Sequence, residues 1–293
     1  MTADEPGATF RDAWHDALYG PLGFYRRQAP ADHFRTSVHA SPLFATAMIR
    51  LAEQAGATHI TDIGAGRGEL AAEISRQAPG ITVMSIELDD VLPERLTGLV
   101  VANEWLDNIP CAIAELDDAG EPRYVLADGN SLGAAVSGAD LAWLERWWPL
   151  AEPGDRAEIG LTRDEAWADV VGRLDKGVAL AIDYGHLRAD RPPYGSIAGF
   201  RDGRDCDPVL DGSCDVTAHV ALDAVAAAVG ATVSTQREAL RALGIDATRP
   251  PLELARSDPH RYVTELSAAG EGAELLDAAG LGGFGWIRSD RRG

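Results

Sequence analysis

The chain has 293 residues, 46% of them hydrophobic, and a formal net charge of −20. This composition is typical of a globular protein with a substantial core, built as one large α/β domain or two smaller ones. Because an acidic surface repels phosphate backbones and anionic membranes, we expect no nucleic acid and no membrane as partners. The same charge would attract a cationic substrate, although it could serve solubility alone.

Targeting and metal-binding signals are missing from the sequence. Residues 1–6 are acidic and lack the basic and apolar parts of a signal peptide, and no apolar run reaches the roughly 20 residues that cross a bilayer. We therefore expect a cytoplasmic protein. The odd number of cysteines, without a Cys-x-x-Cys pair, predicts neither a disulfide framework nor a zinc ribbon. Cys206, Cys214 and His219 match no metal-ligand spacing, so we predict no metal site.

Two helices are predicted ahead of the first strand. A threonine cap begins a helix over residues 9–19, in which large apolar residues recur at helical spacing. Residues 20–40 look irregular. Ser41 followed by Pro42 begins the second helix, which we expect to end near Ala55.

Residues 61–68, Thr-Asp-Ile-Gly-Ala-Gly-Arg-Gly, lie between a predicted strand over 58–63 and a predicted helix over 68–77. The glycines allow a tight turn and a close approach of the backbone to a ligand. A carboxylate before the turn suits a positively charged ligand such as S-adenosylmethionine (SAM). A dinucleotide fingerprint needs glycine where Glu69 stands, which favours SAM over a dinucleotide. A nucleotide site and a purely structural turn are the alternatives. The candidate cofactor-binding residues here are Asp62, Gly64, Ala65, Gly66 and Gly68.

The second predicted strand covers residues 81–87 and ends at Glu87. The two oxygens of this carboxylate could accept hydrogen bonds from both ribose hydroxyls of SAM. Glu87 is therefore a further candidate cofactor-binding residue. A solvated strand end is the alternative interpretation.

A polar segment, Asn-Glu-Trp-Leu-Asp-Asn-Ile-Pro over residues 103–110, follows a third predicted strand over 99–103. A helical turn would place the carboxylates of Glu104 and Asp107 on one face. With the amide of Asn103, this pair could hold a guanidinium and orient one nitrogen toward the methyl group of SAM. The candidate catalytic residues are therefore Asn103, Glu104 and Asp107. A helix N-terminus stabilised by acidic residues is the alternative.

Residues 111–176 look like an insertion between two core strands. They contain a predicted hairpin over 111–127 and a predicted helix over 140–149 whose tryptophans we assign to the core. Thr162 and Glu165 have the spacing of a capping box that opens a further helix. Insertions at this edge of a doubly wound sheet commonly cap the site.

The last part of the chain returns to the sheet. A predicted strand over 178–183 is followed by His186, which is a candidate general base or a surface histidine. An alanine-rich helix is predicted over about 215–230, and a final strand over 284–287. Apolar runs that alternate with helices indicate a parallel sheet covered on both faces.

Several of these segments, taken together, resemble the MidA family of SAM-dependent methyltransferases: residues 62–68, 103–110 and 182–185. Further matches in the expected order are Gly23-Phe24-Tyr25, Phe34-Arg35-Thr36-Ser37, Asp211 through Val220 and Gln236 through Ile245. Mitochondrial members of that family are complex I assembly factors that methylate arginine on a protein subunit.

Two features depart from the family pattern. The family usually has Thr-Ser-Pro-Glu where this chain has Thr36-Ser37-Val38-His39. Between Glu87 and the next predicted strand, residues 88–98 leave room for only one short helix, so the sheet is expected to lack one strand.

The resemblance implies a Rossmann-like α/β methyltransferase in a single domain over residues 1–293. We expect an N-terminal helical segment (1–57), a core (58–110 and 177–293) and an inserted hairpin and helical cap (111–176). The resemblance also implies SAM as cofactor and transfer of its methyl group to a protein arginine. A small-molecule methyltransferase and a SAM-binding assembly factor without turnover are the alternatives. The expected partner is the methyl acceptor, a protein or a small molecule, and a homodimer is left open.

Overall fold

The computed structural model of the chain describes residues 8–27 and 36–291. The acidic residues 1–6 and the Phe34-Arg35 part of the family match lie outside the described residues. The helices are α1 (Phe10–Tyr19), α2 (Phe24–Arg27), α3 (Ser37–Ala40), α4 (Pro42–Gln54), α5 (Glu69–Gln77), α6 (Gly138–Trp147), α7 (Leu161–Gly172), α8 (Leu222–Ala228), α9 (Gln236–Ala242), α10 (Leu252–Ser257) and α11 (Pro259–Leu275). The strands are β1 (His59–Ile63), β2 (Thr82–Ile86), β3 (Leu96–Asn103), β4 (Ala112–Leu116), β5 (Pro122–Val125), β6 (Leu132–Ala135), β7 (Arg156–Ile159), β8 (Leu174–Asp183), β9 (Gly185–His186), β10 (Ala198–Arg201), β11 (Arg204–Cys206), β12 (Asp215–Thr217), β13 (Val220–Ala221), β14 (Thr232–Thr235) and β15 (Gly285–Arg291).

The chain divides into two compact units. The first unit comprises Met1–Phe34, Trp105–Asp169 and Gly185–Gly230, and the second comprises Arg35–Glu104, Val170–Tyr184 and Ala231–Gly293. Within the described ranges, no helix is both long and apolar enough to span a membrane.

A six-stranded sheet forms the centre of the second unit, in the order β14-β15-β8-β3-β1-β2. Strands β2, β1, β3 and β8 run parallel, whereas β15 pairs antiparallel with both β8 and β14. The sheet is therefore mixed, and not purely parallel as the apolar runs predict, because the last strand enters between β8 and β14 in the reverse direction. The carboxyl ends of the four parallel strands lie along one edge, where ligands bind in doubly wound sheets.

Residues 87–95 connect β2 to β3 without a helix or a strand. No short helix forms in the space that the sequence left for one, because Pro93 disfavours helical backbone in the residue before it. The connection is fastened by Arg173, whose guanidinium donates to the carbonyl oxygen of Leu92 at 3.0 Å. Strand β3 begins at Leu96, earlier than predicted, and β2 remains at the edge of the sheet.

Helix α4 supplies much of the apolar core of the second unit. Its fully buried Phe44 and Met48 belong to one cluster with Leu99 of β3 and Leu180 of β8. The helix begins as predicted, with a proline in its first turn and the Ser41 hydroxyl accepting a hydrogen bond from a backbone N–H of that turn at 3.0 Å.

A four-stranded antiparallel sheet, β6-β5-β4-β7, packs with α6 in the first unit. Strands β4 and β5 form the predicted hairpin. Trp143 and Trp148 are buried in the same apolar cluster, which confirms that they are core residues, whereas Trp147 packs against the cluster and is only partly buried. The indole N–H of Trp143 donates to a carboxylate oxygen of Asp164 at 2.7 Å, so its one polar atom is also satisfied.

Two predicted helix starts are wrong. The alanine-rich helix α8 begins only at Leu222, because β12 pairs with β10 and β13 pairs with β9. Helix α7 begins at Leu161, which leaves Thr162 inside the helix. The Thr162 hydroxyl donates to the carbonyl oxygen of Pro110 at 2.9 Å instead of capping the helix. A capping box does form at α9, between Thr235 and Glu238.

Candidate functional site

The turn between β1 and α5 has the backbone that its glycines predict. Gly64, Gly66 and Gly68 have φ angles of 69°, 61° and 83°, in the left-handed region that side chains disfavour. A Cβ atom at Gly66 would lie 3.2 Å from a carboxylate oxygen of Glu69. The turn therefore exposes backbone where other residues would place side chains.

Backbone N–H groups of this turn bind carboxylates of the same unit. Gly66 N donates to Glu87 Oε1 at 2.5 Å, and Arg67 N donates to Glu69 Oε2 at 3.0 Å. Gly64 N donates to the carbonyl oxygen of Ile86 at 2.9 Å. The structure thus brings Glu87, at the end of β2, against the glycine turn.

Negative charge is concentrated around the turn. Asp62 is only 4% exposed at the end of β1. Its burial, followed by the charges of Glu87 and Glu69, raises the pKa of Asp62 to about 7. Burial also raises the pKa of Glu87. A cation bound here would stabilise the ionised form of these carboxyl groups. A sulfonium or an ammonium group is a cation of this kind.

Glu104 follows β3 in an unusual backbone conformation. It is one of two non-glycine residues with a positive φ angle among those described, at 53°, and its N–H donates to the carbonyl oxygen of Ile182 at 2.8 Å. Its Oε1 atom accepts hydrogen bonds from Asn103 Nδ2 and from Ser37 N, each at 3.1 Å. Two N–H donors and a fixed backbone therefore hold this carboxylate.

Residues 103–110 form no helix, so the predicted placement of Glu104 and Asp107 on one helical face is wrong. Strand β3 continues to Asn103, and the left-handed backbone at Glu104 turns the chain where a helix would have begun. The two carboxylates fall in different units. Within the second unit, Asn103 Nδ2 and Glu104 Oε1 are joined by a hydrogen bond.

Asp107 takes part in a buried arrangement of the first unit. Its Oδ2 atom accepts a hydrogen bond from the Thr217 hydroxyl at 2.8 Å. The next residue, Asn108, donates to a carboxylate oxygen of Asp215 at 3.2 Å. Asp215 also accepts from the hydroxyl of Tyr25 at 3.0 Å, and burial followed by the charge of Asp107 raises the pKa of Asp215 to about 8. Hydrogen bonds thus join residues 107–108 to residues 215–217, which are separate motifs in the sequence.

Arg163 holds the same segments in place, a role that no sequence pattern indicated. Its side chain is almost fully buried, at 1% exposure. Its guanidinium donates to the carbonyl oxygens of Asp107 at 2.6 Å, Ile109 at 3.0 Å, Ala218 at 3.1 Å and His219 at 3.0 Å. No ordinary spacing rule distinguishes such an arginine from one on the surface.

His186 is neither a surface residue nor a base near neutral pH. It is buried in the first unit, where burial and the neighbouring charge of Arg191 lower the pKa of His186 to about 3. Its ring meets that of Trp148 edge-on, with centroids 4.6 Å apart. The imidazole is therefore neutral and part of the packing.

A family model described as "Putative S-adenosyl-L-methionine-dependent methyltransferase" matches residues 85–239. The chain belongs to this family. The match includes Glu87 and the whole polar segment 103–110, and the glycine turn precedes it. The predictions of a methyltransferase fold, of an enzyme and of SAM as cofactor are therefore confirmed for this methyltransferase.

Two solved structures are similar to this methyltransferase over most of its length. One is a COG1565 superfamily member from Burkholderia thailandensis bound to S-adenosyl-homocysteine, with a TM-score of 0.77 and 26% sequence identity, covering 98% of this chain and 88% of that chain. The other is an uncharacterized COG1565 superfamily protein from the same organism, with a TM-score of 0.76, 26% identity and the same coverages. No curated protein matches the chain.

Proposed function

We propose that this methyltransferase transfers the methyl group of SAM to a guanidinium nitrogen of a protein arginine, as the mitochondrial members of the MidA family do. The observation that carries the proposal is the carboxylate of Glu104, held by Asn103 Nδ2 and Ser37 N at the carboxyl end of β3. A left-handed backbone at a residue other than glycine costs on the order of 1 kcal/mol and persists where the surrounding structure requires it, often at functional sites.

The residues around the glycine turn are suited to hold SAM. The turn would cradle the methionine part, and Asp62, whose pKa is raised by burial and acidic neighbours, would gain a cationic partner. Glu87 would bind the ribose hydroxyls in exchange for part of its contact with Gly66. The bound group supplies a methyl carbon that already carries a good leaving group, so most of the catalysis is positioning.

Asn103 and Glu104 would orient the acceptor. Asn103 Oδ1 is buried and accepts no hydrogen bond within residues 8–27 and 36–291, which makes it an acceptor for an N–H of the guanidinium. The carboxylate of Glu104 would pair with the guanidinium and accept the proton that the attacking nitrogen loses as the N–C bond forms and the C–S bond breaks. An arginine does not ionise unaided, so this proton needs a nearby base. In this proposal Asp107 keeps residues 107–110 in place through Thr217.

The test is transfer of labelled methyl groups from SAM into a lysate of the source organism. A labelled protein band that yields methylarginine on hydrolysis supports the proposal. A labelled metabolite would instead indicate a small-molecule acceptor, and SAM binding without any labelled product would indicate an assembly factor without turnover. A deep pocket lined by the tryptophans of residues 140–149 would favour a small-molecule acceptor, but Trp143 and Trp148 are buried in the apolar core of the first unit.

Glu104→Gln probes the carboxylate with little change in size. We expect transfer to fall by about 100-fold, because the amide neither neutralises the guanidinium nor accepts its proton. Glu253→Gln, at an exposed position of α10, is the matched control and should retain the full rate. An unchanged rate in Glu104→Gln would remove Glu104 from the mechanism.

A further inference from the structure

A series of hydrogen bonds, buried except for the partly buried last one, leads from the last strand of the second unit to Glu104. The indole N–H of Trp286 donates to Gln236 Oε1 at 3.2 Å, and Gln236 Nε2 donates to the Ser37 hydroxyl at 3.2 Å. Ser37 N then donates to Glu104 Oε1 at 3.1 Å. The side chains of Ser37 and Gln236 are both 0% exposed, and Trp286 is 3% exposed.

The side chains of Ser37 and Gln236, in the middle of this series of hydrogen bonds, are not needed to form the helices to which they belong. Gln236 begins α9, whose N-terminus is already capped by Thr235 and Glu238. Ser37 begins α3, and no side-chain cap is formed there. An amide and a hydroxyl buried side by side are costly unless they are hydrogen-bonded, and apolar residues of similar size would fill the same space without that cost.

What the pair does fix is the place of the Ser37 backbone. Its hydroxyl is held by Gln236, and the backbone N of Gln236 donates to the carbonyl oxygen of Phe284 at 2.7 Å. The N–H of Ser37 is therefore directed at Glu104 from an anchored position. Asn103 supplies the second donor to the same oxygen atom.

We propose that Ser37 and Gln236 are positioning residues that fix the carboxylate of Glu104 for methyl transfer. This inference rests on the proposed function of Glu104, and it gives a role to the two family-like segments around residues 37 and 236. Neither side chain touches the reacting atoms. Each acts on the rate through the N–H of Ser37 and the orientation of the carboxylate that this N–H holds.

The experiment compares Ser37→Ala with Ser41→Ala. Ser41 is also buried, and its hydroxyl donates to Glu271 at 2.8 Å and accepts from Leu43 N at 3.0 Å. The control therefore loses a buried hydroxyl and two hydrogen bonds in the same unit. With labelled SAM and lysate protein as acceptor, we expect Ser37→Ala to lower kcat by about tenfold while the KM for SAM is unchanged. Ser41→Ala should remain within about twofold of the wild-type kcat. Gln236→Met removes the hydrogen-bond partner of the Ser37 hydroxyl and should therefore reproduce the effect of Ser37→Ala.

A double-mutant cycle with Glu104→Gln separates positioning from general damage. If Ser37 acts through Glu104, Ser37→Ala should lower kcat by less than about twofold when Glu104 is already glutamine. A tenfold loss in both backgrounds would overturn the inference, and so would a wild-type kcat in Ser37→Ala or an equal loss in Ser41→Ala.

Urea unfolding of the same variants keeps the inference testable without turnover. If the wild type transfers no methyl group, the proposed function fails. Whether Ser37 positions Glu104 is then decided by the coupling between Ser37→Ala and Glu104→Gln, measured on the equilibrium constant of unfolding. A coupling of about threefold or more supports it, and additive effects overturn it.

Discussion

At the scale of single residues, the glycine turn and the carboxylates around it are the groups that we propose bind the cofactor. Three glycines take left-handed backbone conformations, and three carboxylates surround them, those of Asp62, Glu69 and Glu87. Asp62 is the one that is deeply buried. Gly56 and Asp118 lie away from the turn, and they serve below as controls for Gly66 and Asp62.

Gly66→Ala should weaken SAM binding more than it weakens the fold. Its φ of 61° is close to the 64° of Gly56, where a Cβ would meet nothing within 4 Å. Both alanine variants should therefore lose about 1 kcal/mol of stability from backbone strain. Only Gly66→Ala places a Cβ against Glu69 and the turn, so calorimetry should show SAM binding weakened by about tenfold or more for this variant alone. Equal SAM affinities for both variants would contradict the cofactor site.

Asp62→Asn should reduce the loss of stability that the protein suffers as pH rises. The pKa of Asp62 is about 7 in the folded chain, against an ordinary value of 3.8. Between these values the folded state binds a proton that the unfolded chain has released, so stability falls as pH rises from about 4 to about 7. Urea unfolding at about pH 5 and pH 8 should show a smaller fall for Asp62→Asn than for the wild type.

The exposed Asp118 of the β4–β5 turn provides the control for this pH effect. Asp118→Asn should follow the wild-type pH curve. If Asp62→Asn also followed that curve, the raised pKa of Asp62 would be wrong.

At the scale of elements, the first unit depends on polar anchors that join distant segments. Arg163 on α7 binds four carbonyl oxygens, two in residues 107–109 and two in residues 218–219. The hydrogen bond between Asp107 and Thr217 joins the first stretch to the residue just before the second. The polar segment after β3 therefore owes its shape to these contacts and not to a helix.

Arg163→Met should destabilise the protein by about 3 kcal/mol or more. The substitution keeps an apolar stem but leaves buried carbonyl oxygens without their charged donor, which costs about 1 to 3 kcal/mol for each group that finds no replacement. Arg11→Met, at a 44% exposed side chain of the same unit, should leave the unfolding midpoint nearly unchanged. A midpoint for Arg163→Met equal to that of the wild type would show that these carbonyls find other donors.

At the scale of the whole molecule, the net charge of −20 is the dominant long-range property. A field of this sign raises the local concentration of cationic solutes and speeds their encounter. An arginine-containing region of a protein is such a solute, and a neutral metabolite is not. The charge therefore gives a further way to distinguish the proposed acceptor from a small molecule.

Methyl transfer to the proposed protein acceptor should depend on salt in a way that separates encounter from chemistry. Raising the ionic strength from about 50 mM to about 300 mM should lower kcat/KM for the acceptor by several-fold, because screening shortens the reach of the acidic surface. The value of kcat at saturating acceptor should change little. A kcat/KM that is independent of salt would contradict electrostatic attraction of the acceptor.

The sequence predicted those parts of the fold and site that local rules govern. The glycine turn needs residues without a Cβ, and helix α4 begins where a serine cap precedes a proline, so both were readable from neighbouring residues. The mixed direction of the sheet was not readable, because β15 follows β14 by some fifty residues and its apolar pattern is the same in either direction. The helix start at Thr162 was mispredicted because its hydroxyl has a distant partner, Pro110.

What the sequence by itself determined is the glycine turn with the strand and helix on either side of it, because short-range backbone chemistry and the spacing of apolar residues govern them. The expectation of SAM came with this turn and with the family resemblance. Only the tertiary structure decided which polar residues meet. It placed Asp107 in a hydrogen bond with Thr217, and it joined Ser37 and Gln236 to Glu104. These partners lie far apart along the chain, and their hydrogen bonds depend on packing that brings the segments together, which no local pattern records.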